Sequence, residues 1–208
     1  MIDKDLIKQN IDRLSCVDKK ELWNSLRESV PVYLFIRDEH LKGDVASNHV
    51  FQFVFRSFYR LDNAGLSPEQ KTQYFKSLSN NQTELKTILL ALYDLETLKK
   101  KKSIQLSFAT KLIHTLDNER PIYDKYVSSF TGIKYYNEPT KDADAKITKA
   151  LGKYDELCTV YKDVFITNAK LLALVSDFRK EFRIEKSKIS DVKVIDFLIW
   201  AYGSEISE

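Results

Sequence analysis

Turn-forming residues are scarce in this chain. Its 208 residues include only 5 Gly and 4 Pro, while 43% are hydrophobic and 30% are charged. Strands joined by tight turns need Gly, Pro or Asn signals at short intervals along the sequence. We therefore expect an all-α fold of long helices joined by few loops. The balance of apolar and charged residues is typical of a globular chain, not of a disordered one.

Apolar residues recur at helical spacing along most of the chain. A segment from Val50 to Leu61 is apolar nearly all round, which is typical of a central buried helix. Ser67 followed by Pro68 indicates a cap and a first helical position. The run VYLFI at 32–36 fits either a strand or a buried helical turn, because periodicity does not separate the two in so short a run.

The length of the chain suits one large domain or two small ones. We expect a single compact helical domain over residues 1–208. One half is predicted to comprise residues 45–130, and the other residues 1–44 together with residues 131–208. The most loop-like segment, and the best candidate for a boundary, is KYYNEPTKDAD at 134–144.

Charge and motif patterns exclude several classes of function. The net charge of +3 is only mildly basic, so binding of nucleic acid would require a local patch. No apolar run approaches the ~20 residues that span a bilayer, and the first ten residues are too charged for a signal peptide. We therefore expect a soluble, cytoplasmic protein with no membrane partner. Neither a cofactor nor a metal is expected, because Gly-rich phosphate loops are absent and His40, His49 and His114 lack metal-ligand spacing.

The segment SIQLSFATKLIHTLDNERPIYDKYV, residues 103–127, places a lysine on one predicted helix and an aspartate at the start of the next. Lys111 lies on a helix predicted near Leu106 to Leu116, and Asp124 follows the loop DNERP. A neutral lysine amine is a nucleophile, and a nearby carboxylate can carry a proton or stabilise a developing cation. The same residues also fit an ordinary helix–loop–helix, with a surface lysine and an aspartate cap. The residue pattern alone leaves both interpretations open.

Two groups of cations are candidates for contact with phosphates. Arg56 and Arg60 lie one turn apart on the apolar segment and either reach phosphates or pair with Asp62. The second group is predicted to end a helix that runs through Leu98, where it either binds phosphate or complements the helix dipole. Its members are Lys99, Lys100, Lys101 and Lys102.

The segment at 103–127 resembles the helix-hairpin-helix region of the DNA glycosylase superfamily, which includes endonuclease III and 8-oxoguanine DNA glycosylase. In that family a hairpin is followed by a lysine on a helix, a Pro-containing loop and a Val-Asp-x-x-Val/Met motif. Thr110-Lys111 and Pro121-Ile-Tyr-Asp124-Lys-Tyr-Val127 match it here. Two further pieces, RSFYRLDNAGLS at 56–67 and KVIDFLIWAYG at 193–203, resemble a divergent bacterial group with the same fold.

This resemblance implies an all-helical glycosylase fold and an enzyme that binds double-stranded DNA in base-excision repair. It implies Lys111 as the Schiff-base nucleophile that displaces a damaged base, with possible lyase activity, and Asp124 as the carboxylate that assists at the sugar. Ser107 and Thr110 are expected to contact DNA together with the cations. The aromatic candidates for a pocket around a flipped base, which also fit a helical core, are Phe108, Tyr123, Tyr126 and Trp200.

The sequence departs from the family pattern in three ways. The family hairpin is rich in glycine because its amides approach a phosphate closely, whereas SIQLSFAT contains none. The loop between Lys111 and Asp124 is shorter than usual. Cys16 and Cys158 are too few for a four-cysteine iron–sulfur centre. The missing hairpin glycines favour an alternative, a non-catalytic helical module of the same fold that binds nucleic acid or a protein partner.

Overall fold

The computed structural model describes residues 2–62, 65–135 and 142–205, and these residues form eleven α-helices and no strand. The prediction of an all-α chain is confirmed. Part of the loop-like segment at 134–144 lies outside the described residues. The helices are α1 Lys4–Ser15, α2 Lys19–Leu26, α3 Ser29–Leu41, α4 His49–Tyr59, α5 Pro68–Ser79, α6 Leu85–Tyr93, α7 Leu106–Leu116, α8 Lys125–Thr131, α9 Ala143–Val160, α10 Ala169–Phe182 and α11 Asp191–Glu205.

The ambiguous run at 32–36 is helical, so the strand alternative is wrong. It lies within α3, whose third residue is Pro31. A proline is tolerated there because the first N–H groups of a helix have no intrahelical acceptor. Tyr33 and Ile36 from this run are buried, whereas Phe35 is 38% exposed.

The chain divides into two compact units. The first unit comprises Met1–Val30, Asn118–Lys134 and Lys153–Glu208. The second unit comprises Pro31–Asp117 and Tyr135–Gly152. Lys111 therefore belongs to the second unit and Asp124 to the first. The halves expected from the sequence, 45–130 and the remainder, stay a prediction.

In the first unit, α11 is the central helix. Every side chain from Val192 to Ile199 is buried, and α1, α2, α8 and α10 pack around the helix. Aromatic rings close the surrounding core, for example where Trp23 meets Phe178 edge to face with centroids 6.0 Å apart. A helix that is buried on all sides must be apolar all round, and the sequence VKVIDFLIW departs from this rule only at its two charged residues.

In the second unit, aromatic side chains of α4 form the core with α5. Phe55 lies 5.8 Å from Tyr74 and 5.7 Å from Phe75 between ring centroids. The prediction that α4 is buried all round is wrong, because Val50 and Phe53 are 67% and 64% exposed. Aromatic composition predicted the buried face correctly but gave no sign that the opposite face is open.

The start of α5 fixes this helix against the end of α6. Ser67 and Gln70 form a reciprocal capping box, which confirms the predicted cap. Gln70 is fully buried, and its side-chain amide also donates to the carbonyl oxygens of Leu92 at 2.9 Å and Leu95 at 3.1 Å. One side chain therefore satisfies backbone groups on two helices of the second unit.

Two helical glycines lead to opposite predictions for stability. A Cβ at Gly203 would lie 2.5 Å from Cδ1 of Tyr126, whereas one at Gly152 would meet nothing within 4 Å. We expect Gly203→Ala to lower the free energy of unfolding by about 1–2 kcal/mol, because the Tyr126 ring must move. Gly152→Ala should raise the free energy of unfolding by about 0.5–1 kcal/mol, because alanine favours the helix. Urea unfolding followed by far-UV circular dichroism measures both, and a stabilising Gly203→Ala would contradict the close contact with Tyr126.

Candidate functional site

Lys111 is half-buried on α7 and held by neighbours in the second unit. Its Nζ donates to the carbonyl oxygen of Tyr59 at 3.2 Å. The same atom lies 4.9 Å from the ring centroid of Phe108 and 5.9 Å from that of Tyr59. A carbonyl acceptor and aromatic faces both stabilise the charged ammonium form. These contacts suit Lys111 to act as a positioned cation.

Asp124 is the N-cap of α8 in the first unit. Its Oδ1 accepts hydrogen bonds from the backbone amides of Tyr126 and Val127, both at 2.9 Å. The helix begins at Lys125, and Gly132 ends it with φ +71°. The capping role that the sequence left open for Asp124 is therefore present.

The four lysines from Lys99 to Lys102 lie in a turn, not in a helix. Because α6 already ends at Tyr93, the prediction that they occupy its last turn is wrong, and so is their expected role on its dipole. The amide of Thr97 donates to the carbonyl oxygen of Lys101, and the amide of Lys100 donates back to Thr97, at 3.0 and 2.9 Å. All four side chains are exposed on this compact turn.

Arg56 and Arg60 have different surroundings. Arg56 Nε lies 3.7 Å from Oδ2 of Asp62, and Lys71 Nζ lies 2.6 Å from its Oδ1. The predicted pairing with Asp62 is therefore present for Arg56, which shares this carboxylate with Lys71. Arg60 is exposed and ends α4 in the left-handed conformation, with φ +55°.

Main-chain contacts hold the remaining candidate cations of the second unit. Lys111 is bonded to Tyr59, the last residue of α4, and Arg60 follows it directly. The amide of Leu98, beside the lysine turn, donates to the carbonyl oxygen of Gly65 at 2.9 Å. We call Arg60, Lys99–Lys102 and Lys111 the cationic patch. These cations of the second unit are separate in sequence, and contacts with the main chain hold both Lys111 and the segment beside the lysine turn.

The two hairpin residues expected to contact DNA are less open than the lysines. Thr110 is fully buried on α7, and its hydroxyl donates to the carbonyl oxygen of Ser107 at 3.1 Å. Ser107 is half-buried. The hydroxyl of Thr110 is therefore closed to ligands, whereas the expected contact of Ser107 with DNA stays a prediction.

The four aromatic candidates for a base pocket fall into two groups. Phe108 lies in the second unit beside Lys111. In the first unit, Tyr123 is a core residue whose hydroxyl donates to the carbonyl oxygen of Ile133 at 3.2 Å. Tyr126 and Trp200 are half-buried and pack edge to face, with ring centroids 6.4 Å apart.

Sequence reasoning missed a buried ion pair on α11. Lys193 and Asp196 are 3% and 6% exposed, and Nζ lies 2.6 Å from Oδ2. Removing one partner of a buried pair leaves an uncompensated charge and typically costs ~3–5 kcal/mol. The available signal was two opposite charges, three residues apart, within an otherwise apolar run.

Tyr161 lies near this pair in the first unit. Its side chain is buried, and its hydroxyl has no hydrogen-bond partner within residues 2–62, 65–135 and 142–205. Burial raises the pKa of the Tyr161 phenol well above its ordinary value, and the charges of Asp196 and Asp124 raise it further. The phenol therefore stays neutral. An unpaired buried hydroxyl costs about 1–3 kcal/mol, so its retention calls for an explanation.

The described residues contain no group of three or more His, Cys, Asp or Glu side chains placed to hold a metal ion. In the same part of the chain, no helix combines the length and the apolar character needed to cross a membrane. Comparison with known protein families, with curated proteins and with solved structures found no match. The proposals below therefore rest on the geometry of the chain and on the motif described above.

The capping role of Asp124 gives a direct test. Asp124→Ala should lower the free energy of unfolding by about 1–2 kcal/mol, because two amides of α8 lose their acceptor. Asp124→Asn should cost much less, because asparagine caps helices as well as aspartate does. Urea unfolding of the two variants separates these outcomes. If the Asn variant is as unstable as the Ala variant, the charge of the carboxylate, and not its role as a cap, holds this region together.

Proposed function

We propose that this chain binds double-stranded DNA through the cationic patch of the second unit. The observation that carries the proposal is the fixed lysine turn: four exposed ammonium groups stand on backbone that is hydrogen-bonded to itself and to Gly65. Lys111 adds a cation held in place by Tyr59 and Phe108. Ordered cations lose less entropy on meeting phosphates than flexible ones do.

Phosphate binding by such a patch has a characteristic salt dependence. Each phosphate that a lysine or arginine neutralises releases condensed counterions, so the affinity falls as salt rises. The net charge of +3 is too small to give this behaviour without a local concentration of cations. The pKa of the Glu69 carboxyl lies below its ordinary value. Hydrogen bonds from its own backbone amide and from the Ser67 side chain are the main causes, and the charge of nearby Lys100 adds to them. Glu69 is therefore an acid that limits the patch on the side of α5.

Fluorescence anisotropy with a labelled duplex over a series of salt concentrations tests this proposal. We expect Lys99, Lys100 and Lys101 changed together to Gln to weaken binding by about tenfold or more and to reduce the salt slope by about three. The matched control changes Lys4, Lys8 and Lys20, three exposed lysines of the first unit, to Gln. It removes the same charge outside the patch. Equal losses in both triple variants would show that only net charge matters and would refute a site.

A base-excision glycosylase with lyase activity is the second candidate function. The observation that favours it is the position of Phe108, whose ring lies beside the amine of Lys111 and is suited to stack a flipped base. In this scheme the amine of Lys111 attacks C1′ of the nucleotide as the bond to the damaged base breaks. The amine must first lose its proton, since an ammonium is not a nucleophile.

Borohydride trapping on a panel of damaged duplexes distinguishes catalysis from binding alone. If the chain is a glycosylase with lyase activity, it should form a covalent adduct that disappears in Lys111→Arg. The arginine keeps the positive charge, so DNA binding should survive this change. Lys102→Ala serves as the control, because it removes a patch cation without touching the amine of Lys111. Absence of both adduct and base release, with salt-dependent binding intact, would assign the chain to the non-catalytic alternative.

A further inference from the structure

The first unit contains a cleft that the proposed DNA function does not use. Its volume is about 360 Å³, which lies in the range of small-molecule sites. One wall is the loop before α8, and the other is the end of α9 with the π-helical turn Tyr161–Phe165 that follows it. The lining residues used below are Glu119, Arg120, Asp155, Tyr161, Lys162 and Val192.

Each wall of the cleft carries one acid and one base. The loop supplies Glu119 and Arg120, and the guanidinium of Arg120 lies 5.4 Å from the ring centroid of Tyr154. The helical wall supplies Asp155 and Lys162, which are seven residues apart and therefore on the same side of their helix. Both are exposed, and neither side chain has a hydrogen-bond or ion-pair partner among the residues that the structure describes. The cleft thus offers two charges of opposite sign that the protein itself leaves unpaired.

Tyr161 lines this cleft and carries a buried, unsatisfied hydroxyl. It is 2% exposed, and its hydroxyl has no partner in the described part of the chain. It also begins the π-helical turn, a distortion that costs regular helix geometry and occurs frequently at functional sites. A neutral phenol both donates and accepts, so it can serve either end of a bound polar molecule.

The combination of charges narrows the class of ligand. A simple anion such as phosphate would meet a carboxylate on each wall, and a simple cation would meet a basic group on each wall. A zwitterion satisfies both. The apolar surface of Ile166 and Val192 extends the cleft beyond these charges and suits an apolar side chain.

We propose that this cleft binds a small zwitterion, a free α-amino acid with an apolar side chain. Its carboxylate faces Arg120 and Lys162, and its ammonium group faces Glu119 and Asp155. Its side chain contacts Val192, and entry of the ligand supplies the missing hydrogen bond of Tyr161. The site shares no residue with the cationic patch, so it stands independently of the DNA-binding proposal.

Isothermal titration calorimetry of the full chain with each standard amino acid tests for the ligand. We expect at least one apolar amino acid to bind. Its N-acetyl derivative lacks the ammonium group and its carboxamide lacks the carboxylate, so each should bind about tenfold or more weakly. Failure of every amino acid to bind overturns the proposal, and so does undiminished binding of either blocked derivative.

Variants of the helical wall locate the binding in this cleft. Lys162→Ala and Asp155→Ala should each weaken binding of the best amino acid by about tenfold, since each removes one charged partner. Lys8→Ala, an exposed lysine on α1 of the same unit, is the matched control and should bind as the wild type does. Equal affinities of Lys162→Ala and Lys8→Ala would place the ligand elsewhere and overturn the proposal.

Tyr161→Phe provides a readout that a purely structural hydroxyl would not give. We expect this variant to unfold at the same temperature as the wild type or at a higher one without ligand, because it removes an unpaired buried group. We expect it to show a smaller rise in unfolding temperature when the amino acid is added. A rise equal to that of the wild type would show that the ligand does not contact this hydroxyl, and would overturn its assigned role.

Discussion

Burial of α11 on all sides is the constraint on which the first unit depends. Such a helix is stable only if its neighbours cover it completely, and α8 contributes part of that cover where Tyr126 meets Trp200 and Gly203. The position of α8 depends in turn on Asp124, which caps its first turn. The residue that the glycosylase motif assigns to chemistry is therefore also part of the packing of the unit. Any chemical role for this carboxylate has to be compatible with two hydrogen bonds that it already accepts.

The second unit follows a different principle, because main-chain contacts place its cations. The carbonyl oxygen of Tyr59 holds Lys111, and that of Gly65 holds the segment that carries the lysine turn. Acidic partners neutralise only part of this charge: Asp62 engages Arg56 and Lys71. The main chain thus fixes the amine of Lys111 and the backbone of the lysine turn. Fixed positions of this kind distinguish a binding site from a general excess of lysine on a surface.

Local sequence signals predicted the fold class and several helix ends. The scarcity of glycine and proline predicted an all-α chain, and α7 has the bounds that its apolar spacing predicted, Leu106–Leu116. The errors lie where the answer depends on tertiary contacts. The apolar run at 32–36 in α3 is too short to show a helical or strand periodicity. The exposure of Phe53 depends on which elements pack against α4, and the sequence of α4 does not contain that information. The buried pair of Lys193 and Asp196, and the cleft beside Tyr161, join residues whose proximity no local pattern contains.

The surroundings of Lys111 suit binding of DNA phosphates better than they suit nucleophilic catalysis. Its hydrogen bond to a carbonyl oxygen and its position over aromatic rings both stabilise the ammonium form. Contact with a phosphate requires the ammonium form, which the carbonyl oxygen of Tyr59 and the ring of Phe108 already stabilise. Nucleophilic attack requires the neutral amine, a form that these contacts disfavour relative to the ammonium. The glycosylase scheme therefore needs Lys111 to lose a proton first, whereas the DNA-binding scheme uses the side chain in the form that its surroundings stabilise.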